Sequence, residues 1–117
     1  MTADAVPNCL FCQIVEGKRP AKIVHRDDQV TAFRDINPQA PTHILVVPNR
    51  HIRSIAEAQA EDAPLLGTLL SSAAQIARQE GLASYRLVIN NGSEAGQSVW
   101  HLHVHVLSGR RMTWPPG

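Results

Sequence analysis

No other stretch limits the fold as strongly as residues 101–107, where histidine alternates with apolar residues in the order His-Leu-His-Val-His-Val-Leu. Successive side chains of a strand point to opposite faces, so this pattern predicts a β-strand with one imidazole face and one apolar face. A solvated edge strand that carries a chance run of histidines is the alternative. Half of the chain's six histidines lie here. That clustering favours a functional role, because imidazoles act near neutral pH as nucleophiles, proton carriers or metal ligands.

Apolar periodicity and turn residues predict two helices and five strands. In chain order they are a short helix over residues 10–16, strands over 22–25, 29–34 and 43–47, a long helix over 63–80, and strands over 85–90 and 99–107. The long helix is expected to begin after Asp62 as its N-cap and to end at Gly81. Its predicted apolar stripe comprises Leu66, Leu69, Leu70, Ala73, Ile76 and Ala77. This order indicates an α+β fold, with a mainly antiparallel sheet and the long helix on one face.

Length and composition predict a single domain over residues 1–117, with residues 1–8 as a loose N-terminal arm. The net charge of +1 and the lack of a long basic run give no reason to expect nucleic acid as a partner. No apolar run approaches the ~20 residues that cross a bilayer, and the N-terminus lacks signal-peptide features. The sequence therefore predicts a cytoplasmic protein without a membrane partner.

The three clustered histidines are predicted to divide their work. At a rise of roughly 3.3 Å per residue, His101 and His105 start about 13 Å apart on a strand, too far to share one metal ion. The pair Cys9-x-x-Cys12 has the spacing of half a tetrahedral zinc site, which His51 and His101 would complete. A redox pair and two buried free cysteines are the alternatives, and the spacing alone leaves all three open.

The loop over residues 90–98 leads directly into the histidine strand. Its two glycines let the backbone approach a ligand, successive N–H groups can bind an anion, and Ser98 adds a hydroxyl donor. An ordinary hairpin loop is the alternative, but its place before the histidines favours a phosphate cradle. Next to bound phosphate, His103 is placed for nucleophilic attack and His105 for donation to phosphate or leaving group. His43 either reaches the same site or is a satisfied core histidine.

Several motifs together resemble the histidine triad (HIT) family, and in particular its Hint branch of purine nucleoside phosphoramidases. Besides residues 101–107, the similar segments are Asp35-Ile36, residues 38–43, residues 96–99 and the terminal Trp114-Pro115-Pro116-Gly117. The match covers nearly the whole chain, and the C-terminal motif is specific to the Hint branch. Asn37 is a local departure, because serine is common at that position.

The resemblance implies a two-step reaction. His103 would attack the α-phosphate of an adenosine phosphoramidate, expel the amine and form a nucleotidyl-histidine that water hydrolyses to AMP. Aminoacyl-adenylates are an open alternative to simple phosphoramidates as substrates. The catalytic residues implied are His103, His105, His43 and Ser98. The nucleotide-binding residues implied are Asp35, Ile36, Asn90, Gly96, Gln97, Ser98, His103 and His105.

The resemblance also implies a HIT-like five-stranded sheet that continues across a homodimer, and catalysis that needs no metal, Mg²⁺ included. In some bacterial relatives a structural zinc ion is held at positions that match Cys9, Cys12, His51 and His101, so Zn²⁺ is expected here. Two other functions remain open. One is hydrolysis of dinucleoside polyphosphates, as in another HIT branch, and the other is a nucleotide-binding or scaffold protein with vestigial catalysis.

Overall fold

The computed structural model describes residues 5–117 and contains two α-helices and five strands. In chain order these elements are α1 (Leu10–Val15), β1 (Ile23–Arg26), β2 (Val30–Arg34), β3 (Thr42–Pro48), α2 (Ala63–Gln79), β4 (Arg86–Val88) and β5 (Val104–Ser108). The strands form one antiparallel sheet in the order β1-β2-β3-β5-β4. The predicted α+β architecture, with one long and one short helix, is confirmed.

Strand β5 lies inside the sheet, between β3 and β4. Its register places His105 opposite Leu45 and Leu107 opposite His43, so imidazoles from neighbouring strands are brought onto one face. The histidine segment is therefore not a solvated edge strand. His43 on β3 and His105 on β5 lie on the same face because each residue of an antiparallel pair has a fixed partner on the neighbouring strand.

The two faces of the sheet are covered by different helices. On one face, Leu102, Val104 and Val106 are buried in a core with residues of α2. On the other face, Phe11 of α1 packs with Leu45 and other apolar side chains. The rings of His101 and His103 contact Phe11 edge-on, so both histidines lie on the α1 face. The predicted division into an imidazole face and an apolar face is confirmed.

The predicted extent of the histidine strand is wrong at its N-terminal end. It was expected over residues 99–107, whereas β5 begins at Val104. The ladder with β3 ends at the pair Val46–Val104, and the N–H of Leu102 donates instead to the carbonyl of Ile52, 2.7 Å away. His101 and His103 therefore lie just before β5, on a segment that is hydrogen-bonded to Pro48 and Ile52. The short β4 pairs with β5, and this ladder ends at the pair Val88–His105.

Two details of α2 also differ from the prediction. Asp62 precedes the helix, but its carboxylate does not cap it: Oδ2 accepts from the N–H of Gln59, and Arg50 pairs with Oδ1. The bond from Gln59 caps the 3₁₀ turn Ala60–Asp62, which leads directly into α2. Leu70, predicted in the apolar stripe, is 45% exposed, whereas Leu69 is 1% exposed.

Residues 1–4 of the predicted loose arm lie outside the described residues. The part that is described is held against α1: the N–H of Cys9 donates to the carbonyl of Val6, and the Gln13 amide donates to the carbonyl of Pro7. No helix within residues 5–117 is long and apolar enough to cross a membrane.

Candidate active site

Four metal-ligand side chains converge between α1 and the segment before β5. The ligand atoms of Cys9, Cys12, His51 and His101 all lie within 4.8 Å of one another. The Nδ1 atom of His101 is 3.3 Å from Cys9 Sγ and 3.5 Å from Cys12 Sγ, and His51 Nδ1 is 3.4 Å from Cys12 Sγ. Zinc bonds of ~2.0 Å to nitrogen and ~2.3 Å to sulfur make tetrahedral edges of roughly 3.3–3.8 Å. The four side chains therefore fit a zinc ion.

His101 is held in the orientation that a metal ligand needs. Its Nε2 donates to the carbonyl of Pro48 at 2.8 Å, which assigns the proton to Nε2 and leaves a lone pair on Nδ1, beside the two sulfurs. The side chain is fully buried, and burial lowers the pKa of His101 to about 4. Burial also raises the pKa of the Cys12 thiol to about 11, so a bound cation would be needed to stabilise the thiolate.

His103 is prepared as a nucleophile by its own backbone. Its Nδ1 donates to the carbonyl of His101 at 2.7 Å, so the proton is assigned to Nδ1 and the lone pair to Nε2. Burial lowers the pKa of His103 below its ordinary value, and the imidazole is neutral near pH 7. The ring of Phe11 packs edge-on against it with centroids 5.1 Å apart.

A second pair of imidazoles forms a hydrogen-bonded chain with a fixed direction. The N–H of Gln39 donates to His43 Nδ1 at 3.0 Å, so the proton of His43 is on Nε2. That proton points at His105 Nδ1, 2.9 Å away, which assigns the proton of His105 to Nε2. His105 Nε2 is buried and has no hydrogen-bond partner within residues 5–117, so the chain ends in a free donor. The ring of His105 lies 4.9 Å from that of His103.

Asp35, His43 and His105 also have ligand-type atoms within 4.8 Å of one another. The hydrogen bonds of the two imidazoles argue against a second metal centre there. A metal ion needs a lone pair on His43 Nε2. The Gln39 N–H donates to Nδ1 and so requires the proton on Nε2. Asp35 instead faces that proton, with Oδ2 3.5 Å from His43 Nε2. These three residues are best described as a hydrogen-bonding network.

The loop before the histidines is shaped largely by Gln97, whose side chain is 3% exposed. Its Oε1 accepts from the N–H of Gly92, and its Nε2 donates to the carbonyls of Arg53 and Val99. The Gln97 N–H also donates within the loop, to the carbonyl of Gly92. Its side-chain amide and its N–H are thus used inside the protein. These contacts hold the loop, and the nucleotide-binding role that the resemblance implies for Gln97 stays a prediction.

Other groups of this loop remain available to a ligand. Gly96 has φ of 99°, a conformation that favours glycine, and it lies beside the side chain of Asn90. The N–H groups of Ser98 and Val99 have no acceptor within residues 5–117, and the Ser98 side chain is exposed. Three donors are therefore free where the loop meets the histidine segment.

A cavity of about 640 Å³ adjoins the imidazole chain and is lined by Asp35, Ile36 and His43, among others. Ile36 is 98% exposed and offers an apolar surface at the mouth of this cavity. Asp35 Oδ1 accepts from the N–H of Asn37, which fixes the carboxylate at the cavity edge. The volume lies in the range of small-molecule sites.

Sequence reasoning missed three groups that shape the site. They are the Gln39 N–H that sets the tautomer of His43, the Phe11 ring between α1 and His103, and the Pro48 carbonyl that orients His101. Backbone donors and acceptors leave no residue-type signature. Phe11 lies between the two cysteines, and its position there was the available signal.

The chain shows clear similarity to known proteins. The family model "Scavenger mRNA decapping enzyme C-term binding" matches residues 8–114. An uncharacterised HIT-like protein of Synechococcus elongatus is 52% identical over 109 residues, which is 92% of this chain and 96% of that protein. The chain belongs to the histidine triad family.

Solved structures of HIT proteins have the same fold. A HIT family hydrolase of Legionella pneumophila is 51% identical with a TM-score of 0.92, covering 94% of this chain and 100% of that chain. A histidine triad protein from Clostridium difficile is 37% identical with a TM-score of 0.89, covering 92% of this chain and 96% of that one. These relatives support a HIT family hydrolase, as the resemblance implied.

Proposed function

We propose that this HIT protein is a purine nucleoside phosphoramidase, which cleaves the P–N bond of adenosine 5′-phosphoramidates and releases AMP. The observation that carries the proposal is the neutral, buried His103, whose Nε2 lone pair is unshared because Nδ1 donates to the His101 carbonyl. A neutral imidazole with its second nitrogen oriented in this way is an activated nucleophile for phosphorus.

In the first step, His103 Nε2 forms a bond to the α-phosphorus. The P–N bond breaks, its electron pair goes to the amine nitrogen, and that nitrogen takes a proton from solvent water. His105 carries its proton on Nε2 and has a low pKa, about 4, which suits hydrogen-bond donation to a phosphoryl oxygen better than proton transfer. In the second step, the oxygen of a water molecule bonds to phosphorus and loses a proton to solvent. The bond from phosphorus to His103 Nε2 breaks with its electron pair returning to Nε2, so AMP leaves and His103 is restored.

The free donors of the loop support binding of the phosphate. We assign the N–H groups of Ser98 and Val99 and the Ser98 hydroxyl to phosphoryl oxygens, with Asn90 and Gly96 beside them. We assign the cavity with Asp35 and Ile36 to the nucleoside, where the Asp35 carboxylate suits ribose hydroxyls. His43 fixes the proton of His105 and so belongs to the same network.

We propose a structural role for zinc. Cys9, Cys12, His51 and His101 would hold it in a closed site of four protein ligands, and the ion would tie α1 to the segment that carries His103. His101 is then a ligand and takes no direct chemical part. We expect no Mg²⁺ requirement. Cys9 and Cys12 form no disulfide, which suits a reducing compartment, so we propose a cytoplasmic location.

A second candidate, hydrolysis of dinucleoside polyphosphates, is favoured by the description of the matching family model, which names an mRNA decapping enzyme. Turnover separates the two. We would compare kcat/KM for adenosine 5′-phosphoramidate with that for a diadenosine polyphosphate, both without added metal. We expect the phosphoramidate to be preferred at least about a hundredfold. The reverse preference would establish the second candidate, and AMP binding without turnover of either substrate would indicate a nucleotide-binding or scaffold protein.

A further inference from the structure

We propose that a second cavity, beside the phosphate loop, receives the leaving group, and that Arg53 there selects amines that carry a carboxylate. This inference rests on the proposed phosphoramidase function and deepens it by naming the class of leaving group. No part of the two-step reaction derived above uses Arg53 or Trp100.

The second cavity has a volume of about 410 Å³ and is lined by Leu10, His51, Arg53, Ser98, Val99 and Trp100, among others. It shares no lining residue with the nucleoside cavity. Ser98 and Val99 contribute both to the phosphate cradle and to this cavity. A substrate that places its α-phosphate on the free N–H groups of Ser98 and Val99 therefore has this cavity available for the group bonded to phosphorus through nitrogen.

The position of Arg53 relative to the phosphate loop is fixed by two hydrogen bonds. The buried Gln97 amide donates to the carbonyl of Arg53 at 3.0 Å. The side chain of Asn91 accepts from the N–H of Ala56 at 2.9 Å. The segment that carries Arg53 and the loop that carries Ser98 are thus held together, so the fold places the Arg53 backbone beside the phosphate loop.

The guanidinium group of Arg53 packs on an aromatic ring. Its Cζ atom lies 4.6 Å from the centre of the Trp100 ring, in a cation–π contact. Its acidic neighbour, Glu57, has Oε2 3.4 Å from Nε, and the two side chains are 57% and 55% exposed. An exposed pair of this kind contributes little, so the forked N–H groups remain available to an anion.

The chemistry of such a site favours a carboxylate on the leaving amine. A planar guanidinium binds a carboxylate through two parallel N–H···O bonds, and the apolar surfaces of Leu10 and Val99 suit a short aliphatic part. The substrate class is then an amino acid joined to AMP through its nitrogen. His103 Nε2 bonds to phosphorus, and the P–N bond breaks with its electron pair going to nitrogen, which takes a proton from solvent water. The amino acid then leaves with its carboxylate still paired with Arg53.

The experiment compares AMP joined through nitrogen to glycine with AMP joined to glycinamide, which is nearly the same in shape but carries no charge. We expect the wild type to prefer the carboxylate in kcat/KM by about tenfold, which corresponds to ~1.4 kcal/mol. In Arg53→Gln the ratio of the two kcat/KM values should fall to about one. Arg78→Gln is the matched control, because it removes an equal charge from an exposed position on α2, and it should keep the wild-type ratio.

Three outcomes would overturn the assignment. Equal turnover of both substrates by the wild type, or an unchanged preference in Arg53→Gln, would remove the carboxylate subsite while leaving the phosphoramidase intact. A third substrate, AMP joined to phosphoethanolamine, separates carboxylate from phosphate. If it is preferred over the glycine compound and that preference is lost in Arg53→Gln, the subsite takes a phosphate-bearing leaving group. Absence of turnover with all three substrates and with adenosine 5′-phosphoramidate would instead contradict the proposed function itself.

Discussion

At the residue scale, backbone groups set the proton positions of the site. The His101 carbonyl fixes the tautomer of His103, and the Gln39 N–H fixes that of His43 and, through it, that of His105. A carboxylate is present at Asp35, but its Oδ2 lies 3.5 Å from His43 Nε2, so it holds no histidine of the site by a short hydrogen bond. The imidazoles therefore have fixed tautomers. Burial lowers the pKa of His43, His103 and His105, so all three are neutral near pH 7.

The low pKa of His105 predicts how stability depends on pH. Its pKa is lowered from 6.5 to about 4, mainly by burial, with His103 and His43 lowering it further and Asp35 opposing them. Between these pH values the unfolded chain binds more protons, so this contribution to stability is complete above pH 6.5 and is lost as the pH falls to about 4. Urea unfolding of the wild type and of His105→Gln over this range should show a shallower pH dependence in the variant. Equal pH dependence would contradict the assigned pKa.

At the element scale, the stability of α1 depends on its contacts with the rest of the protein. It has six residues, too few to be stable alone in water, and the Cys9 Sγ accepts from the N–H of Cys12 at its start. Phe11 packs against Phe33, His101 and His103, so α1 covers the nucleophile. Cys9 and Cys12 lie at its N-terminal end, and the proposed zinc ion would connect them to His51 and His101.

Removing one ligand should therefore release α1. Cys9→Ala is expected to abolish stoichiometric zinc in purified protein and to lower the free energy of unfolding by about 2 kcal/mol, or roughly 8 °C in Tm. Val15→Ala, in the same helix, is the control that trims packing and keeps all four ligands. Elemental analysis and thermal unfolding give the two measurements. Full zinc content in Cys9→Ala would refute the metal site.

The elements that sequence reasoning predicted are those with strong local periodicity. The 17-residue helix α2 and the apolar strand β3 follow from their patterns, as does the facing of residues 101–106. The start of β5 could not be predicted, because the ladder with β3 ends at Val46–Val104 where the N–H of Leu102 donates to the distant carbonyl of Ile52. The exposure of Leu70 and the internal role of Gln97 likewise depend on neighbours distant in sequence.

At the scale of the whole molecule, the sheet has two edges, β1 and β4. Strand β4 has three residues and a free edge, with the exposed side chain of Tyr85 just before it. An open antiparallel edge is a template for a second copy of the same strand. We propose that the homodimer implied by the family resemblance forms here and continues the sheet.

The dimer is tested by mass in solution. Light scattering coupled to gel filtration should give twice the chain mass of 12.8 kDa. Leu87→Pro would remove one backbone donor from β4 and is expected to shift the population toward monomer. A wild-type mass equal to that of one chain would contradict the continued sheet.

The central claim, that His103 is the nucleophile of a phosphoramidase, is tested most directly by trapping the intermediate. Wild type and His103→Ala would be mixed with adenosine 5′-phosphoramidate without added metal, followed for AMP release, and quenched for intact-mass analysis. His25→Ala is the matched control, since His25 pairs with Asp27 outside the site. The account predicts an adenylyl adduct on His103 in the wild type and in His25→Ala. In His103→Ala it predicts no adduct and turnover reduced about 10⁴-fold or more, with AMP still bound. Undiminished AMP release by His103→Ala, or an adduct on another residue, would contradict it.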